Sequence, residues 1–498
     1  MKKYKGLTAL LVVLALCASL SGCGSNEPAA SDTADDTDVT TEATTEAATE
    51  SAADETEKSD ESRGNPPDGE RPDAPPDGSS GGPGDGPGGG SGSADIDYKG
   101  AVEITEADSQ SGQTYNSSTA DESALLISTS DAVTIDSPTV TKTGDSDGGD
   151  SCNFYGLNAA VLVKGGSDTA ITGGTITSDA DGANGVFCYG GNGGQNGASG
   201  DGTTLTIRDT VIKTTSDGSG GIMTTGGGVT YAYDLDVETS GQSSAAIRTD
   251  RGGGTVYANG GTYTSNGLGS PAIYSTAEIH VENAELISNL SEGVCIEGIN
   301  SVELTNCNMT ADNTKCNGNA TFYDTIMIYQ SMSGDADSGT SSFTMNGGTL
   351  TSRNGHVFHV TNTDAIINLN GVKIVNEDSD NILLSVCADG WSGGSNIATL
   401  NADGQELCGI IKVGGDSQFT LNLTNGSTFK GSVDGAISNA KGTTVSTEVG
   451  TVNIKLDSTS TWTLTADTYV TSFDGDASNV ISGDYTLYVN GTALIGTK

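Results

Sequence analysis

The chain has 498 residues, with 65 acidic against 21 basic side chains, a formal net charge of −44, and 72 glycines beside 8 phenylalanines and 2 tryptophans. Such acidity repels nucleic acid, polyanionic polymers and anionic lipid unless cations intervene, so nucleic-acid binding is excluded as the expected role. Length alone would require several domains, unless the chain is a repeat array, which has no such limit.

Residues 1–22 read as a targeting segment. Lys2, Lys3 and Lys5 precede the apolar run Leu7 to Ala18, which is too short and wrongly flanked for a membrane span. The segment ends in Leu20-Ser21-Gly22-Cys23, which resembles the lipobox of bacterial lipoproteins. That resemblance implies that Cys23 becomes the mature N-terminus and carries a thioether-linked diacylglyceryl group. The chain would then be anchored to the membrane and exposed outside it, at the cell surface; two acyl chains hold stably where one is marginal. Ordinary secretion, with Cys23 incidental, is the alternative.

Residues 23–96 predict a disordered tether. An Asp/Glu/Thr/Ala stretch gives way to Pro/Gly/Asp-rich sequence from Asn65, with hardly any large apolar residue to bury. Gly24 to Ser93 holds 18 acids and 3 bases, a local charge of −15, beside +3 on the targeting segment and −32 on the chain beyond Ser93. Such a coil spans roughly 45–50 Å and is lengthened by self-repulsion.

From residue 97 to 498 the composition shifts to Gly, Thr, Ser, Asn and β-branched residues, and a pattern recurs. Ile212, Val237, Tyr263, Leu286 and Met309 are separated by 25, 26, 23 and 23 residues. Three positions before them stand Asp209, Asp234, Gly260, Asn283 and Asn306, types that tolerate a left-handed backbone. Apolar or small residues sit five and seven before each anchor. The register extends to Ile176, Leu350 and Ile374, with Gly173, Gly347 and Gly371 at their corners. A second apolar run, such as Val294-Cys295-Ile296 or Ile382-Leu383-Leu384, lies between successive corners and never reaches helix length. Three short strands per lap of about 23 residues predict an all-β fold, a right-handed parallel β-helix, with polar loop inserts near 190–202 and 315–340. At most about sixteen coils fit, in a rod of roughly 60–75 Å. Ala101 to Thr143 is expected to cap the N-terminal end. After Cys408 the pattern loosens, and Tyr485, Leu487 and Val489 alternate as on a half-buried strand. Val452 to Phe473, with Ser460-Thr461-Trp462-Thr463-Leu464, resembles the closing coils of bacterial β-helix adhesins and autotransporter passengers.

Seven cysteines follow the tether: Cys152, Cys188, Cys295, Cys307, Cys316, Cys387 and Cys408. An odd number cannot all pair within one chain, and no C-x-x-C spacing supports a zinc site. Cys188, Cys295 and Cys387 fall in apolar runs and read as small buried hydrophobes.

The architecture resembles that of pectate lyases, polygalacturonases, carbohydrate-binding surface proteins and adhesins, so fold alone does not choose among activities. A lyase needs carboxylates and a basic residue beside a uronate; Arg248, Asp250 and Arg251, with Glu292 and Glu297 two coils on, are the nearest set. The competing reading is a charged corner. No signature of the polygalacturonases is present. His356 and His359, three apart, are expected on opposite strand faces, and His280 at the surface or core edge. Trp391, in the loop Asp389-Gly390-Trp391-Ser392-Gly393, is a candidate sugar-stacking platform, which with Glu292 and Glu297 makes a candidate ligand-binding set; the competing reading folds Trp391 back over the rod. Asp145, Asp147 and Asp150 resemble the start of a loop for Ca2+ but lack a distal Glu, which leaves an acidic turn as the alternative. Lipidation, tether and rod together imply a surface-anchored binding protein for adhesion or polysaccharide capture. A β-helix lyase or glycoside hydrolase is the alternative, and a bare spacer the third reading.

Overall fold

The computed structural model describes residues 96–193 and 199–497. Its core is a right-handed parallel β-helix built on three parallel sheets of 15, 14 and 10 strands. As far as Lys373–Asn376 each lap gives one strand to each sheet, beginning with Lys99–Ile104, Asp108–Ser111 and Thr114–Ser117. The predicted anchors stack in one column of the third sheet: Ile176 pairs with Ile212, then Val237, Tyr263, Leu286, Met309, Leu350 and Ile374 in turn. All but the last are fully buried. Burying such a side chain stabilises by about 1.5–3 kcal/mol.

The corner before each anchor is set by backbone sterics. Asp209, Asp234, Asn283 and Asn306 have φ of 55°, 51°, 56° and 53°, and Gly260 has 73°. In this left-handed region most side chains clash with their own carbonyl, whereas Asn and Asp tolerate it and Gly is indifferent. Each corner N–H also extends the inter-coil ladder: Asp209 donates to the Tyr233 carbonyl, Gly260 to Glu282 and Asn306 to Asn346. Two residues separate the second sheet from the third in every lap from Ser111/Thr114 to Asn370/Lys373.

The first coils, Ala101 to Thr143, pair in register with those that follow, Tyr115 with Val140 and Val140 with Ile176. One expectation changes. The insert expected over 315–340 is two loops, because strand Asp324–Tyr329 runs through it as part of the first sheet. The loosening after Cys408 has a topological cause. The third sheet ends at Lys373–Asn376, and thereafter single longer strands such as Glu406–Val413 serve where two had stood. At the C-terminal end Leu487–Val489 pairs in parallel with Thr468–Val470 and antiparallel with Thr492–Leu494, and that reversal stops the spiral. Leu487 is buried as expected, while Tyr485 is exposed.

Among the described residues every long excursion flanks a strand of the first sheet: residues 143–160, 190–193 with 199–203, 313–323, 330–339, 387–396 and 435–450. The first carries the helix Asp150–Tyr155, which ends at Gly156 with φ 77°. The outer face of the first sheet is therefore roofed over part of its length.

Asn306→Val forces a β-branched residue into the left-handed corner and should cost about 1–2 kcal/mol, whereas Asn306→Gly should be nearly neutral. Denaturant unfolding of both variants checks this; equal effects would mean that the corner conformation is not what matters.

Candidate functional site

Alternate residues of a strand face outward, so the first sheet presents an outer column: Met223, Arg248, Tyr274, Cys295, Met327, His359, Ser385 and Lys412 are successive neighbours. Beneath the roof this column is dry. Tyr274, Cys295, Met327 and Tyr329 pack with Ala320 and Trp391, which descend from the loops.

The structure gathers most of the predicted set here and seals it. Arg248 and Asp250 are 1% and 0% exposed and form an ion pair of 2.5 Å. The Arg248 guanidinium lies 5.2 Å from the Tyr274 ring. Tyr274 donates to Glu297 at 2.7 Å and Tyr329 at 3.0 Å, while Ser331 donates to the other carboxylate oxygen. Trp391 is 4% exposed, with its ring 4.8 Å from that of Tyr329, so its faces are covered by the protein itself. Glu292 accepts from Ser291 on the Cys295 side of the same layer. Arg251 alone keeps some exposure; it pairs with Asp335, Nε to Oδ1 3.2 Å, and lies over Phe154. These residues converge through two tyrosines, yet a polymer has no path to Arg248, Asp250, Glu292 or Glu297.

Asp145, Asp147 and Asp150 do not assemble as a calcium loop. Asp145 accepts from the Asp181 backbone N–H, while Asp150 begins the helix and lies near Arg251. Among the described residues no group of three or more His, Cys, Asp or Glu is arranged to hold a metal ion. Cys188, Cys295 and Cys387 are buried and in no disulfide, and burial raises their thiols well above the ordinary range. Cys23 lies outside the described residues. No helix among those described is long and apolar enough to cross a membrane.

The histidine expectation is overturned. His356 Nδ1 and His359 Nδ1 both lie 2.7 Å from the Ser385 hydroxyl. Val357 and Phe358, consecutive residues, both join the core, so alternation breaks as the chain leaves the Gly355 corner and both imidazoles face outward. His359 Nε2 lies 3.4 Å from Asp389, which also accepts from the Thr321 amide and hydroxyl. Sequence reasoning missed Ser385 and Asp324. The signal that could have found them was a polar residue inside an apolar run at the outward position of its lap.

A second, open site lies on the second sheet. Tyr231, Tyr257 and His280 are in register and stack at 5.4 and 5.0 Å with interplanar angles of 11° and 13°. Tyr231 and Tyr257 are 36% and 41% exposed, and His280 sits between Glu278 and Glu303 at 2.9 and 3.4 Å. The same column continues through Glu303, Thr344, Asn368, Asn401 and Asn422. There each amide donates to the side chain before it, at 3.0, 2.9 and 2.7 Å. No protein-family model and no curated protein matches this sequence, so functional reasoning rests on these two surfaces.

Burial pushes the carboxyls of Asp250, Glu292, Glu297 and Asp324 above the ordinary carboxylate range, Asp324 well above it. Neither oxygen of Asp324 has a hydrogen-bond partner among the described residues. A raised carboxyl binds more protons folded than unfolded, so its stabilisation is full below the unfolded pKa and is lost as pH rises through the folded one. His356, lowered by burial to about 3, acts oppositely but only below its unfolded value near 6.5. Above that value the carboxylates therefore dominate, and Tm should fall as pH rises through the folded value of Asp250, about 7. Asp324→Asn should flatten that fall and raise Tm at the alkaline end. A wild-type Tm that rises over this window would refute the assignment.

Proposed function

We propose that this chain is a surface-anchored lipoprotein whose β-helix binds without catalysis, holding a neutral polysaccharide along the open face of the second sheet. The observation that carries the reading is the exposed Tyr231–Tyr257–His280 stack and the amide ladder that prolongs it. Aromatic side chains offer an apolar strip against the carbon faces of sugar rings, and phenol hydroxyls and amides supply directional partners. Both recur at the strand spacing of about 4.8 Å, which suits a ligand that is itself a repeat. Glu278, Glu282 and Glu303 flank the stack, so a polyuronate would be repelled and a neutral chain admitted. The lipobox-like Leu20-Ser21-Gly22-Cys23 and the acidic stretch after it support attachment to the membrane through Cys23, with the rod held away from the lipid. The alternative, a lyase or hydrolase acting at Arg248, Asp250 and Arg251, has less support because the first two are sealed from any polymer.

Tyr257→Ala should weaken retention on a neutral polysaccharide by roughly five- to tenfold, the equivalent of about 1–1.5 kcal/mol of ring contact. Its Tm should barely change, since the ring is exposed. Affinity electrophoresis in gels cast with the polymer measures this; unaltered retention, or release of cleaved product by the wild type, would count against a binding role.

Cys23→Ser should move the chain from the membrane fraction to the supernatant and abolish labelling by a radioactive fatty acid. A variant that stays in the membrane would remove the anchor from the proposal.

A further inference from the structure

A cleft of about 330 Å³ opens beside His356, near the margin of the roof. Ile382, Ile410 and Ile437 give it apolar walls, and His356, Asp380 and Lys412 bring polar groups to it. His356 is 8% exposed, and Phe322 covers part of its ring at 5.4 Å.

The network behind it fixes its position. His356 Nδ1 and His359 Nδ1 both reach the Ser385 hydroxyl, which leaves His356 Nε2 turned away from that contact. Asp389 lies on the far side of His359, and His359 and Thr321 hold its carboxyl below the ordinary range against the effect of burial. His356 Nε2 has no hydrogen-bond partner among the described residues and is not sealed from solvent. Burial, His359 and Lys412 hold the ring neutral, with its pKa lowered to about 3.

Lys412 completes the donor set. Its ammonium has three N–H groups; one goes to Asp434 at 2.5 Å and one to the Ala436 carbonyl at 2.9 Å, which leaves the third for a ligand oxygen. Asp380 and Asp434 keep anions away.

We infer that this cleft is a second ligand site, separate from the open sheet face, for one ring of a neutral sugar. A ligand hydroxyl pairs with His356 Nε2, a ligand oxygen accepts from Lys412, and the carbon face of the ring lies on the isoleucines. The site stands on its own observations and holds whether or not the second sheet binds a polymer.

Ligand-observed NMR on the full-length chain with glucose, galactose, mannose and N-acetylglucosamine, and with glucuronate as the anionic comparison, tests it. At least one neutral sugar should bind saturably, and glucuronate roughly tenfold more weakly or not at all. His356→Phe should abolish the signal. So should Ser438→Trp, which fills the cleft from an exposed position and leaves the core intact. Both variants are made in the Tyr257→Ala background, which removes the exposed ring of the second sheet and with it that face's share of the signal. No binding by any neutral sugar, binding that survives Ser438→Trp, or preference for glucuronate would each overturn the inference.

Discussion

The two-residue turn from the second sheet into the third is the constraint on which the rest of this molecule depends. Its first residue must take a positive φ, and its N–H must reach the carbonyl of the next coil, so the turn is itself a rung of the ladder. One residue more or fewer would send every later side chain of the lap to the opposite face, and the core column through Ile212, Tyr263 and Met309 would be lost. Asp, Asn and Gly recur there because other residues would add strain of about 1–2 kcal/mol at each lap.

Since that corner admits no extra chain, variation is confined to the two sides of the first sheet. All the long excursions fall there, and several fold down over it. In a plain solenoid each coil touches only its neighbours. Here Arg251 reaches Asp335, Thr225 reaches the Phe154 carbonyl and Thr321 reaches Asp389, contacts spanning 84, 71 and 68 residues. The roof thus ties distant laps together. It also buries polar groups that must then be partnered within the protein, which Glu297 achieves with Tyr274, Tyr329 and Ser331 and Asp324 does not.

The periodic part of this arrangement was legible in the sequence. Anchors, corners and apolar runs repeat, and repetition identifies a position without knowledge of its neighbours. The roof was not legible, since Trp391, Phe322 and the helix Asp150–Tyr155 occur once each and their contacts are set by how loops fold over a surface that does not yet exist in the chain alone. His356 and His359 were misplaced for a similar reason: strict alternation assumes a strand already straight at His356, whereas the strand straightens one residue later. The open stack was readable yet passed over. Tyr231, Tyr257 and His280 repeat at the intervals of Val237, Tyr263 and Leu286, but outward residues between core positions carry no apolar contrast to mark them.

Where the roof is complete, it closes the polar groups beneath it off from solvent. Arg248 and Asp250 have the right chemistry for work on an acidic sugar, but their partners are each other. The situation changes where two roof segments meet. Ala440 donates to the Thr321 carbonyl, Ile437 packs with Phe322 and Cys387, and beside that seam the cover leaves His356 with one nitrogen held from behind and the other toward solvent. An imidazole in open water would share its proton between two tautomers and titrate near neutrality. One backed by Ser385 and His359 is held in one orientation and stays neutral, which makes its free nitrogen a directional partner. Partial cover therefore does what neither full burial nor full exposure can, and ligand recognition on the first sheet belongs at the margin of its roof.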